Sequence, residues 1–245
     1  MSRKGQIDTL FQKEKRTIDN FVFDDAVADV FDDMIIRSVP GYRSLVSNIG
    51  VIAKKYFQIG SNIYDIGCSS GAAILSMQNH IPKDNQGCIV AVDSSAPMLS
   101  KCKLQLKTIP KNLPIQYICD DALNIEIENA SLVILNLTLQ FIPVDKRLNL
   151  LQKIYDGLLP NGVLVLSEKI DLEGDQKTLA DGLHNTFKSE NGYSDLEISQ
   201  KRAALEETLL TETITQNEAR IQEAGFEEPY RWFQCFNFTS WITFK

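Results

Sequence analysis

Residues 63–71, Ile-Tyr-Asp-Ile-Gly-Cys-Ser-Ser-Gly, decide the fold. An apolar run (Ile63, Tyr64, Ile66) is broken by Asp65, Gly67 and Gly71, and an apolar segment, Ala72-Ala73-Ile74-Leu75, follows. A strand running into a tight glycine turn that opens a helix is a layout suited to a nucleoside-containing ligand. The spacing is Asp-x-Gly-x-x-x-Gly. The dinucleotide pattern Gly-x-Gly-x-x-Gly is absent, because Cys68, Ser69 and Ser70 follow Gly67. A pyrophosphate needs glycines so that backbone amides can close on it. A sulfonium amino acid instead needs room beside the backbone and an anion for its ammonium. Gly67 supplies the room, and Asp65 supplies the charge directly or through water.

Outward from this loop, strands and helices alternate, the signature of a parallel sheet with crossover helices. Strands are predicted at 62–66, 88–92, 115–119, 131–136 and 162–167, with helices near 71–79, 96–107 and 144–157. A helix at 214–224 ends at Gly225, and strands at 229–237 and 239–244 follow it. Ahead of the first strand, Ala26, Val27, Val30, Phe31, Met34 and Ile35 fall at helical spacing. Pro40-Gly41 stops that helix and a second one spans about 43–56. These two helices are expected to cover the ligand site or a sheet edge. Residues 170–212 leave the alternating pattern. They are charged and mostly helical with a break at Asn191-Gly192, and an insertion of that size serves as a lid or an oligomer contact. Residues 1–20 are polar and read as a mobile segment or an arm that folds against a partner, ahead of one domain over 21–245.

Composition narrows the classes. A chain of 245 residues with 44% hydrophobic content fits one α/β domain with a decorated periphery. A net charge of −7 argues against a broad nucleic-acid or anionic-membrane surface. Apolar runs such as Leu132–Leu135 and Val163–Leu166 are too short to span a bilayer, and Met1–Arg16 has no signal-peptide core. The cysteines (68, 88, 102, 119, 235) form no Cys-x-x-Cys pair, so reduced thiols in a cytoplasmic protein are expected. With only His80 and His184, neither a His-based metal site nor a Ser-His-Asp triad is expected, and both histidines read as surface residues.

Three strand ends carry polar candidates. Asp93 closes Cys88–Val92 and can accept from both ribose hydroxyls; the competing role is a helix N-cap, for which Ser94 and Ser95 are equal candidates. Asp121 follows the third strand and can accept from an adenine amino group while the Ala122 amide donates to the ring, with Asp120 as its rival. Asn136 ends the fourth strand and offers donor and acceptor where a transferred group would lie, or is simply a satisfied turn residue. Cys68 touches the loop and reads as a small buried thiol. Phe226, Trp232, Phe233, Phe236, Phe238 and Trp241 read as an aromatic cluster of core or interface.

The loop at 63–71, the turn Leu159-Pro160-Asn161-Gly162 and the terminal hairpin together resemble the class I S-adenosylmethionine-dependent methyltransferases. That resemblance implies a Rossmann-like α/β fold: a mostly parallel seven-stranded sheet with an antiparallel edge hairpin, N-terminal helices and a helical lid insertion. Asn/Asp-Pro-Pro-Tyr, frequent in nitrogen methylases of this class, is absent after the fourth strand. Further stretches narrow the likeness. They are Arg37-Ser38-Val39-Pro40-Gly41-Tyr42, Asn136-Leu137-Thr138-Leu139-Gln140-Phe141, Leu166-Ser167-Glu168-Lys169, Asn191–Ser194 with Glu197–Arg202, and Trp232–Phe238. With Gly67-Cys68-Ser69 they resemble the bacterial carboxy-S-adenosyl-L-methionine synthase family, from about Asp8 to the C-terminus.

This resemblance implies conversion of S-adenosyl-L-methionine and prephenate to carboxy-S-adenosyl-L-methionine and phenylpyruvate, with no metal. The product would supply a separate enzyme that modifies wobble uridine in tRNA, so this chain itself need not bind nucleic acid or membrane. By matching motif, Tyr42, Gly67–Ser69, Asp93 with Ser94, Asp121 with Ala122, and Asn136 would hold the nucleoside. Arg202 would reach the new carboxylate from the neighbouring subunit of a homodimer. Ser70 and Asp120 depart from the family pattern without altering a matching functional position, and the likeness is weak at 170–190. A conventional methyltransferase and a non-catalytic S-adenosylmethionine-binding subunit are the other readings.

Overall fold

The computed structural model describes residues 6–82 and 86–245. Residues 1–5 of the expected N-terminal arm lie outside the described residues. Helix α1 (Asp25–Ser38) starts where the Asp24 carboxylate accepts from the Val27 amide at 2.9 Å, and it stops at Val39, which is extended ahead of Pro40. Helix α2 (Tyr42–Tyr56) follows Gly41, and then the alternation begins: β1 (Ser61–Ile66), α3 (Ala72–His80), β2 (Gly87–Asp93), α4 (Ala96–Leu106), β3 (Ile115–Cys119) and β4 (Ala130–Asn136). A 3-10 turn (Leu139–Phe141) leads to α5 (Val144–Gly157) and β5 (Leu158–Lys169). Helices α6 (Gly174–Glu190) and α7 (Asp195–Leu205) form the insertion, and α8 (Ile214–Glu223), β6 (Tyr230–Cys235) and β7 (Phe238–Phe244) complete the chain.

The seven strands form one sheet in the order β3-β2-β1-β4-β5-β7-β6. Strands β1 to β5 are parallel, and β7 runs antiparallel to both β5 and β6. This is the expected Rossmann-like arrangement with its antiparallel edge hairpin. The parallel strands read as continuous apolar runs because helices cover both faces. Alternate residues divide between two cores. Tyr64, Ile66, Val90, Val92 and Leu135 join α5 and α8 on one side, and Ile63, Ile89, Ala91 and Ile134 join α2 and α3 on the other.

Two expectations are corrected here. The fifth strand begins at Leu158 rather than 162. Ala130 of β4 pairs with Leu158 and Leu132 with Val163, so residues 159–162 stand opposite Ser131 as a bulge, with Asn161 at φ 61°. The turn-like residues therefore lie within the fifth strand rather than ahead of it. The C-terminal aromatics also do not form one cluster. Phe226 and Trp241 lie in one core and Trp232 packs against the other, because β6 and β7 present successive residues to opposite faces.

The insertion is pinned at its base. Ile170 and Glu212 form a parallel bridge, and the Asp171 amide donates to the Glu212 carbonyl at 2.9 Å. The Glu212 carboxylate sits between the Arg147 and Arg220 guanidiniums, and Arg147, only 2% exposed, also donates to the carbonyls of Ile142 and Leu210 at 2.9 and 2.7 Å. A buried cation with that many acceptors is well compensated and ties the base to the body of the sheet. Residues 6–20 lie on their own chain: the Tyr193 hydroxyl donates to Asp8 at 2.5 Å, and the Gln200 amide donates to the Phe11 and Lys13 carbonyls. Among the described residues, no helix is long and apolar enough to cross a membrane.

Candidate functional site

The strand order reverses direction between β1 and β4, so the loops leaving their carboxyl ends diverge and leave a crevice. A cavity of about 1030 Å³ opens there, walled by the loops after β1 to β5 and roofed by α1, the 3-10 turn, α6 and α7. Every residue singled out from the sequence as a ligand contact lines this one cavity.

Gly67 adopts φ +74°, and a Cβ on it would stand 2.3 Å from the Thr138 hydroxyl oxygen. That hydroxyl donates to the Ile66 carbonyl at 3.0 Å, so the loops after β1 and β4 meet here with no room for a side chain. Ser69 continues the turn at φ 49°, and its amide donates to Asp93 Oδ2 at 2.8 Å. Asp93 Oδ1 accepts from the Ser95 amide at 2.9 Å. Burial pushes the Asp93 carboxyl above its usual range against the pull of these two amides. The N-cap alternative is settled as well: Ser95 accepts from the Met98 amide at 3.2 Å and caps α4, while Ser94 stays exposed at the rim. Ser70, a departure from the family pattern, donates to Asp32 of α1 at 2.6 Å and ties the loop to the roof.

Asp65 is 1% exposed, and its Oδ2 has no hydrogen-bond partner. Burial, and then the neighbouring Asp93, push it up to about 7. Asn136 Oδ1 is likewise buried and unpaired. Unpaired buried oxygens are uncommon, and here both belong to residues facing the cavity. Burial, Asp65 and Asp32 also push the Tyr42 hydroxyl upward. Cys68 is a buried thiol, raised by its hydrogen bond with Cys102 and by burial, so it is inert rather than nucleophilic. On the third loop, Asp120 accepts from Asn124 at 2.9 Å and from the Asp121 amide at 2.7 Å, which commits it to the turn. Asp121 accepts from the Leu123 amide at 2.8 Å, and Ala122 is buried beside it.

The roof holds cations among the carboxylates of Asp171, Asp181, Asp195 and Glu206. Lys169 closes β5, Lys188 is on α6, and Lys201 and Arg202 are on α7; all four face the cavity. Arg202 is exposed, and its Nη2 donates to Asn185 Oδ1 at 3.1 Å. His184, expected at the surface, is instead 5% exposed in the roof. Its Nε2 lies 2.8 Å from the Ser38 carbonyl, its ring meets Phe238 edge-on, and burial and then Lys188 drive it down to about 3. Asp181, His184 and Lys188 recur at spacings of three and four on one helical face, a signal that sequence reading passed over. Among the described residues, no group of three or more His, Cys, Asp or Glu is placed to hold a metal ion.

Glu168 was also missed, although it lies in a quoted motif. It is 3% exposed, and its two oxygens accept from the Leu139 and Gln140 amides at 2.9 Å each. It therefore holds the 3-10 turn that follows Asn136, Leu137 (φ 62°) and Thr138. Burial pushes Glu168 up to about 8 against those amides and Arg147. Its folded value lies above the unfolded one, so its contribution is complete below the unfolded carboxyl range and is lost as pH rises through about 8. Glu168→Gln should cost about 1–3 kcal/mol at pH 6, since an amide nitrogen then faces an amide donor. Urea melts from pH 5 to 9 should show stability falling toward alkaline pH in the wild type and a flatter profile in the variant. Identical slopes would sink this assignment.

A family profile described as a methyltransferase domain matches residues 63–162. Among curated relatives, a carboxy-S-adenosyl-L-methionine synthase of Haemophilus ducreyi is 48% identical over 239 residues, 97% of this chain and 98% of its own length. The proteins of the same name from Glaesserella parasuis and Shewanella piezotolerans are 50% and 49% identical, covering 97% and 99% of this chain. Among solved structures, magnesium protoporphyrin IX methyltransferase from Synechocystis, with bound SAM, matches with a TM-score of 0.57 at 12% identity, over 88% of this chain and 90% of its own. A cyclopropane synthase from Mycobacterium tuberculosis matches with a TM-score of 0.56 at 15% identity, over 74% of this chain and 60% of its own. At these identities the structures speak for the fold alone.

Proposed function

The chain belongs to the carboxy-S-adenosyl-L-methionine synthase family, and on that premise we propose that it converts S-adenosyl-L-methionine and prephenate to carboxy-S-adenosyl-L-methionine and phenylpyruvate. The observation that carries this beyond ordinary methyl transfer is the cavity's two-sided chemistry. Carboxylates and a glycine loop line the sheet edge, and the roof adds five cations, Lys169, Lys177, Lys188, Lys201 and Arg202, which outnumber its carboxylates Asp171, Asp181, Asp195 and Glu206. A cationic nucleoside suits the first side, and a dianionic acid suits the second.

On the sheet side, Asp93 accepts from the ribose hydroxyls with the lone pairs its two amides leave free. Asp121 and Ala122 receive the adenine, and Gly67, Cys68, Ser69 and Ser94 frame the sugar and sulfonium chain. Asp65 Oδ2 takes the ammonium, Asn136 Oδ1 faces the sulfonium end, and Tyr42 closes the wall. Prephenate then loses its ring hydroxyl as hydroxide and its ring carboxylate as carbon dioxide, and the ring becomes aromatic. Hydroxide takes a proton from the sulfonium methyl, giving water and a sulfur-stabilised ylide. The ylide carbon bonds to carbon dioxide. Water would quench the ylide, so the α6–α7 insertion acts as a lid that excludes it. This sequence needs no protein base, in keeping with the low proton affinity of His184.

Arg202 receives the new carboxylate, where a planar guanidinium can bind in bidentate fashion. Its exposure at the rim suits a homodimer in which it completes the partner's site. Its place on the wall of its own cavity supports a second reading, in which each chain uses its own arginine. The enzyme works in the cytoplasm, and its product passes to the enzyme that modifies wobble uridine in tRNA.

Three outcomes test this reading. Asp93→Ala should weaken S-adenosylhomocysteine binding by about 1.5–3 kcal/mol by calorimetry, roughly tenfold or more, because a charge-assisted acceptor is lost; unchanged affinity removes the ribose role. Incubation with ring-carboxylate-labelled prephenate should move the label into the adenosyl product, with phenylpyruvate formed in equal amount. A methylated acceptor and S-adenosylhomocysteine would instead mark a conventional methyltransferase, and ligand binding without turnover a non-catalytic subunit. A heterodimer carrying Arg202→Ala in one chain and Asp93→Ala in the other should retain one working site. If it is inactive while wild-type/double-variant heterodimers are active, each chain uses its own Arg202.

A further inference from the structure

Lys169 and Lys188 are half-buried on the cavity wall, and neither ammonium has a hydrogen-bond or ion-pair partner among the described residues. Other cations in the roof are engaged. Lys201 donates to the Ser38 hydroxyl at 2.8 Å and stands 3.8 Å from Asp8, and Arg202 donates to Asn185. Asp181 and Asp171 act on Lys169, and Asp181 on Lys188, yet burial outweighs them and lowers both ammoniums, so neither has a direct counterion until something anionic arrives. Lys169 also stands in the right place for the reaction. β5 pairs with β4 so that Ser167 faces Asn136, which puts Lys169 two residues past the strand end that faces the sulfonium. Phe238, packed edge-on to His184, supplies an apolar wall nearby.

We propose that Lys169 and Lys188 form the carboxylate subsite for the acid co-substrate, gripping the carboxylate that stays with the keto acid. The inference rests on prephenate as that co-substrate. The chemistry selects the retained carboxylate. The departing one loses its charge as carbon dioxide forms, so a cation bound to it would stabilise the ground state and raise the barrier. The retained carboxylate keeps its charge throughout and can be held firmly at no cost to the reaction. Phenylpyruvate therefore occupies the same subsite as prephenate.

The subsite also carries a proton signature. Burial lowers Lys188 to about 7, and Lys169, Lys201 and Arg202 push the same way against Asp181. His184, one turn earlier on α6, is neutral at this pH. A bound carboxylate raises Lys188 again, so binding takes up protons near and above pH 7, and affinity falls as pH rises.

The test uses the full-length protein saturated with S-adenosylhomocysteine, with phenylpyruvate as the calorimetric probe and prephenate in turnover. Lys188→Met and Lys169→Met should each weaken phenylpyruvate binding and raise the KM for prephenate tenfold or more. Affinity for S-adenosylhomocysteine should stay unchanged, which also certifies that the variants fold. Lys188→Arg should recover part of the loss. Weakening of phenylpyruvate binding between pH 6.5 and 8.5 should be present in the wild type and absent in Lys188→Met. Unaltered prephenate KM and phenylpyruvate affinity in both Met variants, with a wild type that consumes prephenate, would overturn the subsite and leave the reaction standing. A wild type that neither binds nor consumes prephenate would overturn the proposed reaction, and the subsite with it.

Discussion

The contact between Gly67 and Thr138 is the constraint on which the site depends. The two residues leave adjacent strands, β1 and β4, at the point where the sheet order reverses. The Thr138 hydroxyl reaches back to the Ile66 carbonyl, and only a residue without a Cβ, at positive φ, fits beneath it. That closeness turns Ser69 toward Asp93 and places the Asp65 and Asn136 side chains on one wall. Thr138 is in turn held by its position ahead of the 3-10 turn that the buried Glu168 carboxylate grips by two amides. Glu168 thus acts on the glycine-loop side of the cavity without lying on its wall.

The insertion follows from a buried ion cluster. Arg147 and Arg220 enclose Glu212 at the point where the excursion after β5 returns to the sheet. The helices α6 and α7 consequently leave and rejoin the body at one fixed place, over the carboxyl edge of the strands. Arg147 also donates to the Ile142 and Leu210 carbonyls, so the base of the insertion and the loop after β4 share one anchor. The described arm adds a further tie through Asp8 and Tyr193, which places α7 relative to α1.

Charge is unevenly divided across the cavity. Carboxylates gather where the strands end, while the roof mixes five cations with the carboxylates of Asp171, Asp181, Asp195 and Glu206. Asp65 moves up to about 7 and Lys188 down to about 7, opposite shifts with the same origin in burial and like-charge neighbours. Such a cavity is electrostatically unsatisfied on both sides, and complementary ligands relieve it.

The sequence by itself determined the alternating elements, the parallel sheet with its edge hairpin, and the loop at 63–71, because each rests on local periodicity and turn chemistry. It also marked the polar residues at the ends of β1 to β4, since a strand end followed by a helix start is a local pattern. Only the tertiary structure decided that Leu158 already belongs to β5 despite the turn-like 159–162, because strand pairing, not turn propensity, sets that register. Only it showed that His184 is buried, that Lys169 and Lys188 line the cavity, and that Glu168 braces the turn behind it. Those residues come from the end of β5 and the helix that follows it, and what they meet in space lies on other elements. Their burial and mutual repulsion arise from long-range packing, which no local pattern encodes.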